Sequence, residues 1–114
     1  MARRPEVLRR KRDFDRLYKR GRSTGDRYIV VIHSANGLEY SRRAFLASKK
    51  VGGAVARNRA RRLMKEGFRK IESEIIPGKD ILFIARKEIV SAGTGSGEVE
   101  QSIKKILSKS GLLR

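Results

Sequence analysis

The chain has 114 residues, with 29 Lys and Arg against 12 Asp and Glu, a formal net charge of +17. That length suits a single domain spanning 1–114 with a modest core, and 39% hydrophobic residues make wholesale disorder unexpected. The absence of cysteine excludes a disulfide framework, a thiol nucleophile and a Cys-based zinc site. No apolar run approaches the ~20 residues of a membrane span and no secretory signal is visible, so the expectation is a cytoplasmic protein with no membrane partner.

Residues 1–11 are basic and aperiodic and read as a flexible arm. From Asp13 the pattern turns helical, with Phe14, Leu17 and Tyr18 at i, i+3 and i+4, and Gly21 stands where a C-terminal cap would use it. Residues 21–26 read as a turn that can hold a short strand. Tyr28–Ile32 is a β-branched strand, closed by the Asn36-Gly37 turn. Arg43–Ser48 is the next strand, expected to pair antiparallel with the first. Gly52-Gly53 opens a helix predicted over 54–75, which Pro77-Gly78 ends. Asp80–Ala85 is apolar on both faces and therefore belongs in the middle of the sheet. After a flexible Gly-rich loop, 92–97, Val99, Ile103, Ile106 and Leu107 mark a last amphipathic helix, with Gly111 as its cap. The sum is an α/β (α+β) sandwich: a small mixed four-stranded sheet packed with three helices in the order αβββαβα, a ribosomal-protein-like build.

The charge is concentrated. Residues 1–27 carry 11 basic and 4 acidic groups, and residues 41–70 carry 11 basic and 1 acidic; the remainder is nearly balanced. Folding two such segments together costs self-repulsion unless a polyanion relieves it, and nucleic acid is the natural partner because each phosphate neutralised releases counterions. A generic solubilising surface would mix both signs.

On a helical wheel, Ala56, Ala60, Leu63, Met64, Gly67, Phe68, Ile71 and Ile75 share one side of the long helix, while Asn58, Arg59, Arg61, Arg62, Lys65 and Arg69 share the other. Arg57 lies at the border, where its stem can pack while its head reaches out. One face suits a core and the other suits phosphates. Five Lys/Arg among residues 57–65, with no acid, would be repulsive in an isolated helix. The preceding glycines let backbone approach a ligand, and free N–H groups at a helix start favour an anion. Phe14 and Tyr18, among Arg12, Arg16, Lys19 and Arg20, suit stacking on unpaired bases; the same spacing with Leu17 also suits plain core.

The run SKKVGGAVARNRARRLMKEGFR, Ser48–Arg69, closely resembles the signature of the bacterial ribonuclease P protein subunit: a lysine pair, a glycine turn, and an Arg-Asn-Arg core followed by more basic residues. RDFDRLYKRG, Arg12–Gly21, resembles that family's first helix and ILFIARK, Ile81–Lys87, its later strand. The resemblance implies a protein that binds a large catalytic RNA, in a holoenzyme that removes the 5′ leader of precursor tRNA by hydrolysis. It implies that the chain itself supplies no catalytic group and no metal site, that Mg²⁺ is bound mainly by the partner RNA, and that no protein partner is required. The face toward the catalytic RNA would be Lys49, Lys50, Arg57, Asn58, Arg59, Arg61, Arg62, Lys65 and Arg69. The leader would enter a cleft between the first helix and the sheet, lined by Arg12, Phe14, Tyr18, Tyr28, Val30 and Ile32. Some family members carry an aromatic where this chain has Ile32, which leaves apolar contact there in place of stacking. The family fold also includes a left-handed crossover between parallel strands, against the general rule.

Three other classes compete. A self-sufficient nuclease needs a positioned acid and base or clustered carboxylates, and the chain offers one histidine, His33, and scattered acids. The Gly93–Gly97 run lacks the lysine of a phosphate-binding loop. A ribosomal protein would share charge, size and build, and the RNA that co-purifies distinguishes it. A DNA-binding module is weaker, with no recognition-helix unit or dimerising heptad.

Overall fold

The computed structural model describes residues 6–91 and 93–114. In chain order the elements are β1 (Glu6–Val7), α1 (Lys11–Arg20), β2 (Arg22–Gly25), β3 (Ile29–Ala35), β4 (Arg42–Leu46), α2 (Ala54–Arg69), β5 (Lys79–Ala85) and α3 (Ser96–Lys109), with short 3₁₀ turns at Glu72–Glu74 and Lys87–Val90. The sheet order is β1-β4-β5-β3-β2, with β4 parallel to both β1 and β5 and the remaining pairs antiparallel. The α+β sandwich is as expected, with five strands among the described residues where four were expected.

The fifth strand comes from the segment read as an arm. Glu6 and Val7 pair with Arg42 and Arg43, and the Leu8 N–H donates to the Arg43 carbonyl at 2.7 Å. Leu8 is buried and serves as an anchor under α1. Residues 1–5 of that arm lie outside the described residues.

β5 is central, as its two-faced apolar pattern requires. Its place forces a correction: β4 does not pair with β3, because β5 lies between them. Asn36-Gly37 is accordingly no hairpin turn. Gly37 has φ +73°, and the Asn36 amide donates to the Tyr40 carbonyl and to Asp80, bracing a loop that passes the start of β5.

Two apolar clusters lie on opposite faces of the sheet. The larger joins Ile29, Val31, Ile81 and Phe83 to Ala60, Met64 and Phe68 of α2 and Val99, Ile103 and Leu107 of α3. Phe45, Phe68 and Phe83 meet within it, with the Phe45 and Phe83 rings stacked at 5.0 Å. Gly67 lets the helices close up, since a Cβ there would stand 3.1 Å from the Glu100 backbone. The smaller cluster, Leu8, Leu17, Ala44 and Leu82, lies under α1.

α2 ends at Arg69, short of the expected 75. Ile71 leaves helical geometry at φ −120° and ψ 1°, yet Ile71 and Ile75 stay in the core, so the apolar period outlasts the α-helix. The C-terminus pairs there: the Ile76 N–H donates to Leu112 O, and the Arg114 N–H to Glu74 O. Gly111 caps α3 as expected. With φ +73°, it lets the Gly111 and Leu112 N–H groups reach back to the Ser108 and Leu107 carbonyls.

Candidate nucleic-acid interface

α2 begins without a side-chain cap and without an acid in its first turn. Its free N–H groups and the left-handed Gly52 (φ +146°) leave the helix start open to an anion. A Cβ at Gly52 would meet Ala56 Cβ at 2.8 Å, so this turn needs glycine on steric grounds as well. Lys49 and Lys50 are exposed in the turn before it.

From that start the helix separates its residues as its wheel requires. Ala60, Leu63, Met64, Gly67 and Phe68 are buried, while Asn58, Arg59, Arg62, Lys65 and Arg69 are exposed. Two arginines sit between. Arg57 is half-buried and its Nη1 lies 3.5 Å from the Gly52 carbonyl, a border position as expected. Arg61, expected to face outward, is also half-buried, and its Nη1 is enclosed with no hydrogen-bond partner. Arg59 Nη2 donates to the Thr94 carbonyl at 3.1 Å, which ties the Gly-rich loop to the basic face. Val55 is 85% exposed in the first turn, an apolar side chain the charge pattern gives no reason to single out.

The other face of the sheet builds the expected cleft only in part. Ala44, Leu82 and Ile32 form one row across β4, β5 and β3, and Leu46, Ile84 and Val30 form the next. Phe14, Ile32, Leu46 and Ile84 are half-buried around the smaller cluster, and Tyr18 is 57% exposed on α1. Arg12 is exposed one turn before Arg16. Phe14 and Ile32 are therefore brought together, with Val30 in the next row of the same face. Tyr28 is not: it precedes β3 and packs against the larger cluster, on the α2 and α3 side, with the Arg27 guanidinium 5.0 Å from its ring centre. Leu46 and Ile84 take its place in the floor. Their signal was present in the sequence as apolar positions two apart on neighbouring strands, but only the pairing of β4 with β5 reveals it.

The structure also joins what the sequence kept apart. β1 is only two residues long, so β4 has an uncovered edge from Ala44 to Leu46. A hollow of about 520 Å³ opens there, bounded by Phe14, by Ala44–Leu46, and by Lys65 and Arg69 of α2. Arg43 lines it too, with its guanidinium 5.9 Å from the Phe68 ring centre. Three cations and one carboxylate, Glu72, thus flank an apolar floor, and cations beside apolar surface are what hold unpaired bases and their phosphates together.

Among the described residues, no group of three or more His, Cys, Asp or Glu side chains converges to hold a metal ion. The donor set thus does not fit an all-protein Mg²⁺ seat. No helix among them is long and apolar enough to cross a membrane.

The chain is similar to known proteins along nearly its whole length. The family model described as Ribonuclease P matches residues 2–111. The ribonuclease P protein component of Clostridioides difficile is 40% identical over 107 residues, 93% of this chain and 92% of that protein. Its counterpart in Caldanaerobacter subterraneus subsp. tengcongensis is 37% identical over 105 residues, 92% of this chain and 89% of that one. Among solved structures, the RNase P protein from Thermotoga maritima superposes with a TM-score of 0.81 at 33% identity, covering 91% of this chain and 96% of that one. The Staphylococcus aureus RNase P protein gives 0.81 at 30% identity, over 95% and 97%. A chain matched along nearly its whole length in sequence, and in fold, belongs to the ribonuclease P protein family.

Proposed function

We propose that this chain is the RNA-binding subunit of a ribonucleoprotein endoribonuclease, and that it presents two RNA-binding surfaces. The exposed side of α2, with Asn58, Arg59, Arg62, Lys65 and Arg69, and Lys49 and Lys50 in the turn before it, binds the catalytic RNA; Arg57 and Arg61 contribute from half-buried positions. The cleft of Phe14, Tyr18, Val30 and Ile32, with Arg12 at its rim, receives the single-stranded 5′ leader of precursor tRNA. Hydrolysis of the leader belongs to the RNA and the Mg²⁺ it holds.

One observation carries this reading. Phe14 of the apolar cleft and Lys65 and Arg69 of the basic helix border the same hollow at the open edge of β4. A single strand can there rest its bases on apolar surface while its phosphates face cations.

Reconstitution tests it. The protein is added to a bacterial ribonuclease P RNA at low Mg²⁺, and cleavage of a precursor tRNA is followed. The expected result is strong stimulation, with no cleavage by protein alone. No stimulation of the RNA from the same source would leave a basic RNA-binding domain and favour a ribosomal role.

A further inference from the structure

At the corner of the sheet diagonally opposite the start of α2, four elements close on a hollow that neither surface above uses. Arg22, Ser23 and Thr24 come from β2, His33 from β3, Lys79 from the start of β5, and Lys109 with Ser110 from the end of α3; the hollow measures about 720 Å³. Arg22 and His33 are register partners across β2 and β3, and Lys79 stands opposite Ala35 on the next strand. No carboxylate lines the space.

Three cations gathered from separate elements repel one another, and folding alone gives no reason to collect them. Lys109 has a partial explanation, since a cation in the last turn of α3 answers the negative end of that helix. Arg22 and Lys79 have none of that kind. Ser110 Oγ is enclosed and has no hydrogen-bond partner, which costs free energy until something supplies one. Burial first, then Lys79 and Arg22, lower the pKa of His33, so its ring registers the positive field of the hollow.

We infer that this hollow is a second phosphate site, in which Arg22, Lys79 and Lys109 hold a phosphodiester of an RNA backbone with His33 and the Ser and Thr hydroxyls as donors. The inference rests on the RNA-binding reading above and extends it: the chain would bridge two RNA segments, one on α2 and one at this opposite corner.

His33 is the only histidine in the chain, so its ring protons give an isolated NMR signal in the full-length protein. Inorganic pyrophosphate is the first probe, titrated at constant ionic strength. The His33 signals are expected to move saturably and its pKa to rise, because a bound anion favours the imidazolium. The double variant Arg22→Gln, Lys109→Gln should weaken that response at least fivefold. A response no larger than NaCl produces at matched ionic strength, or one that the double variant retains, overturns the site. The second probe is the catalytic RNA, for which the double variant should lower the salt slope of binding by about two, one per lost phosphate contact. An unchanged slope restricts the hollow to small anions and overturns its assignment to RNA. The pyrophosphate response does not depend on the holoenzyme. A protein that keeps that response but fails to stimulate the RNA would defeat the functional reading and leave the anion site standing.

Discussion

Arg42 and Asp80 face each other across the parallel strands β4 and β5, and the guanidinium grips both carboxylate oxygens: Nε donates to Oδ1 at 2.8 Å and Nη2 to Oδ2 at 2.7 Å. The remaining nitrogen, Nη1, reaches Asp13 Oδ2 on α1 at 3.2 Å. One side chain thus fastens the helix that roofs the cleft to the two strands that floor it. The hydrogen bonds to Asp80 raise the Arg42 pKa against the opposing effect of burial, so the guanidinium stays charged. Asp80 is buried and also accepts from the Asn36 amide. Replacing Asp80 by Ala removes both hydrogen bonds of the fork and leaves the part-buried Arg42 with Asp13 alone, and the expected loss is about 3–5 kcal/mol in urea unfolding. Asp13→Ala removes only the longer contact and should cost about 1–2 kcal/mol. A loss under about 1 kcal/mol for Asp80→Ala would show that the triad is not what holds α1 in place.

Arg62 is exposed on α2, whereas Arg59 is exposed but already donates to Thr94 O. Arg62→Ala should therefore reduce the salt slope of RNA binding by about one and leave stability within about 0.5 kcal/mol. Arg59→Ala should lower the slope similarly and also loosen the Gly-rich loop, seen as faster amide exchange around Thr94. If neither variant changes the slope, this face is not the one that meets RNA.

The basic helix was legible because one periodic pattern specified both its buried and its charged sides. The central position of β5 followed in the same way from a strand apolar on two faces. Strand pairing was not legible: Asn36-Gly37 is a good local turn signal, yet nothing near it in sequence tells that β5, over 40 residues later, inserts between β3 and β4. β1 was missed because two residues carry no period, and its anchor, Leu8, lies inside a run of cations. Tyr28 stands two residues before Val30, where a longer strand would carry it into the cleft, but β3 starts at Ile29 and the chain turns before it. There the Tyr28 and Ile29 N–H groups donate to Asp26 Oδ1, while Asp26 Oδ2 accepts from Ser102 on α3.

Gly21 follows α1 in extended geometry, φ −70°, without the left-handed turn a glycine cap would use. Space is the reason for it: a Cβ there would lie 2.5 Å from both Ile32 Cγ2 and the Leu17 carbonyl oxygen. Gly21→Ala must push α1 away from β3, with an expected cost of about 1–3 kcal/mol and a wider cleft. A variant as stable as the parent, with unchanged leader affinity, would mean that the helix yields without cost.

His33 has a lowered pKa, from burial and then from Lys79 and Arg22, so the folded state binds its proton less readily than the unfolded chain. The sign follows: this contribution to stability is present above the unfolded value near 6.5 and is lost as pH falls through and below it. In phosphate-free buffer the stability curve should bend down below about pH 6.5, with a slope under the ~1.4 kcal/mol per pH unit of one full proton. His33→Asn should remove that bend, and an identical curve in the variant would assign it to other groups.

Phe14 and Tyr18 sit one turn apart on α1 but in different surroundings, and this separates packing from recognition. Phe14 is half-buried against the smaller cluster and borders the hollow at the β4 edge, whereas Tyr18 is 57% exposed. Tyr18→Ala should leave stability within about 0.5 kcal/mol. If Tyr18 stacks on the leader, the same change should reduce discrimination of precursor from mature tRNA by about 1–3 kcal/mol. Phe14→Ala should lose both stability and discrimination. Phe14→Leu keeps most of the apolar volume and removes the ring, so it should recover stability while discrimination stays low. Should Phe14→Leu restore discrimination along with stability, the ring is only core, and the leader is held by the cations of α2 with the strand floor.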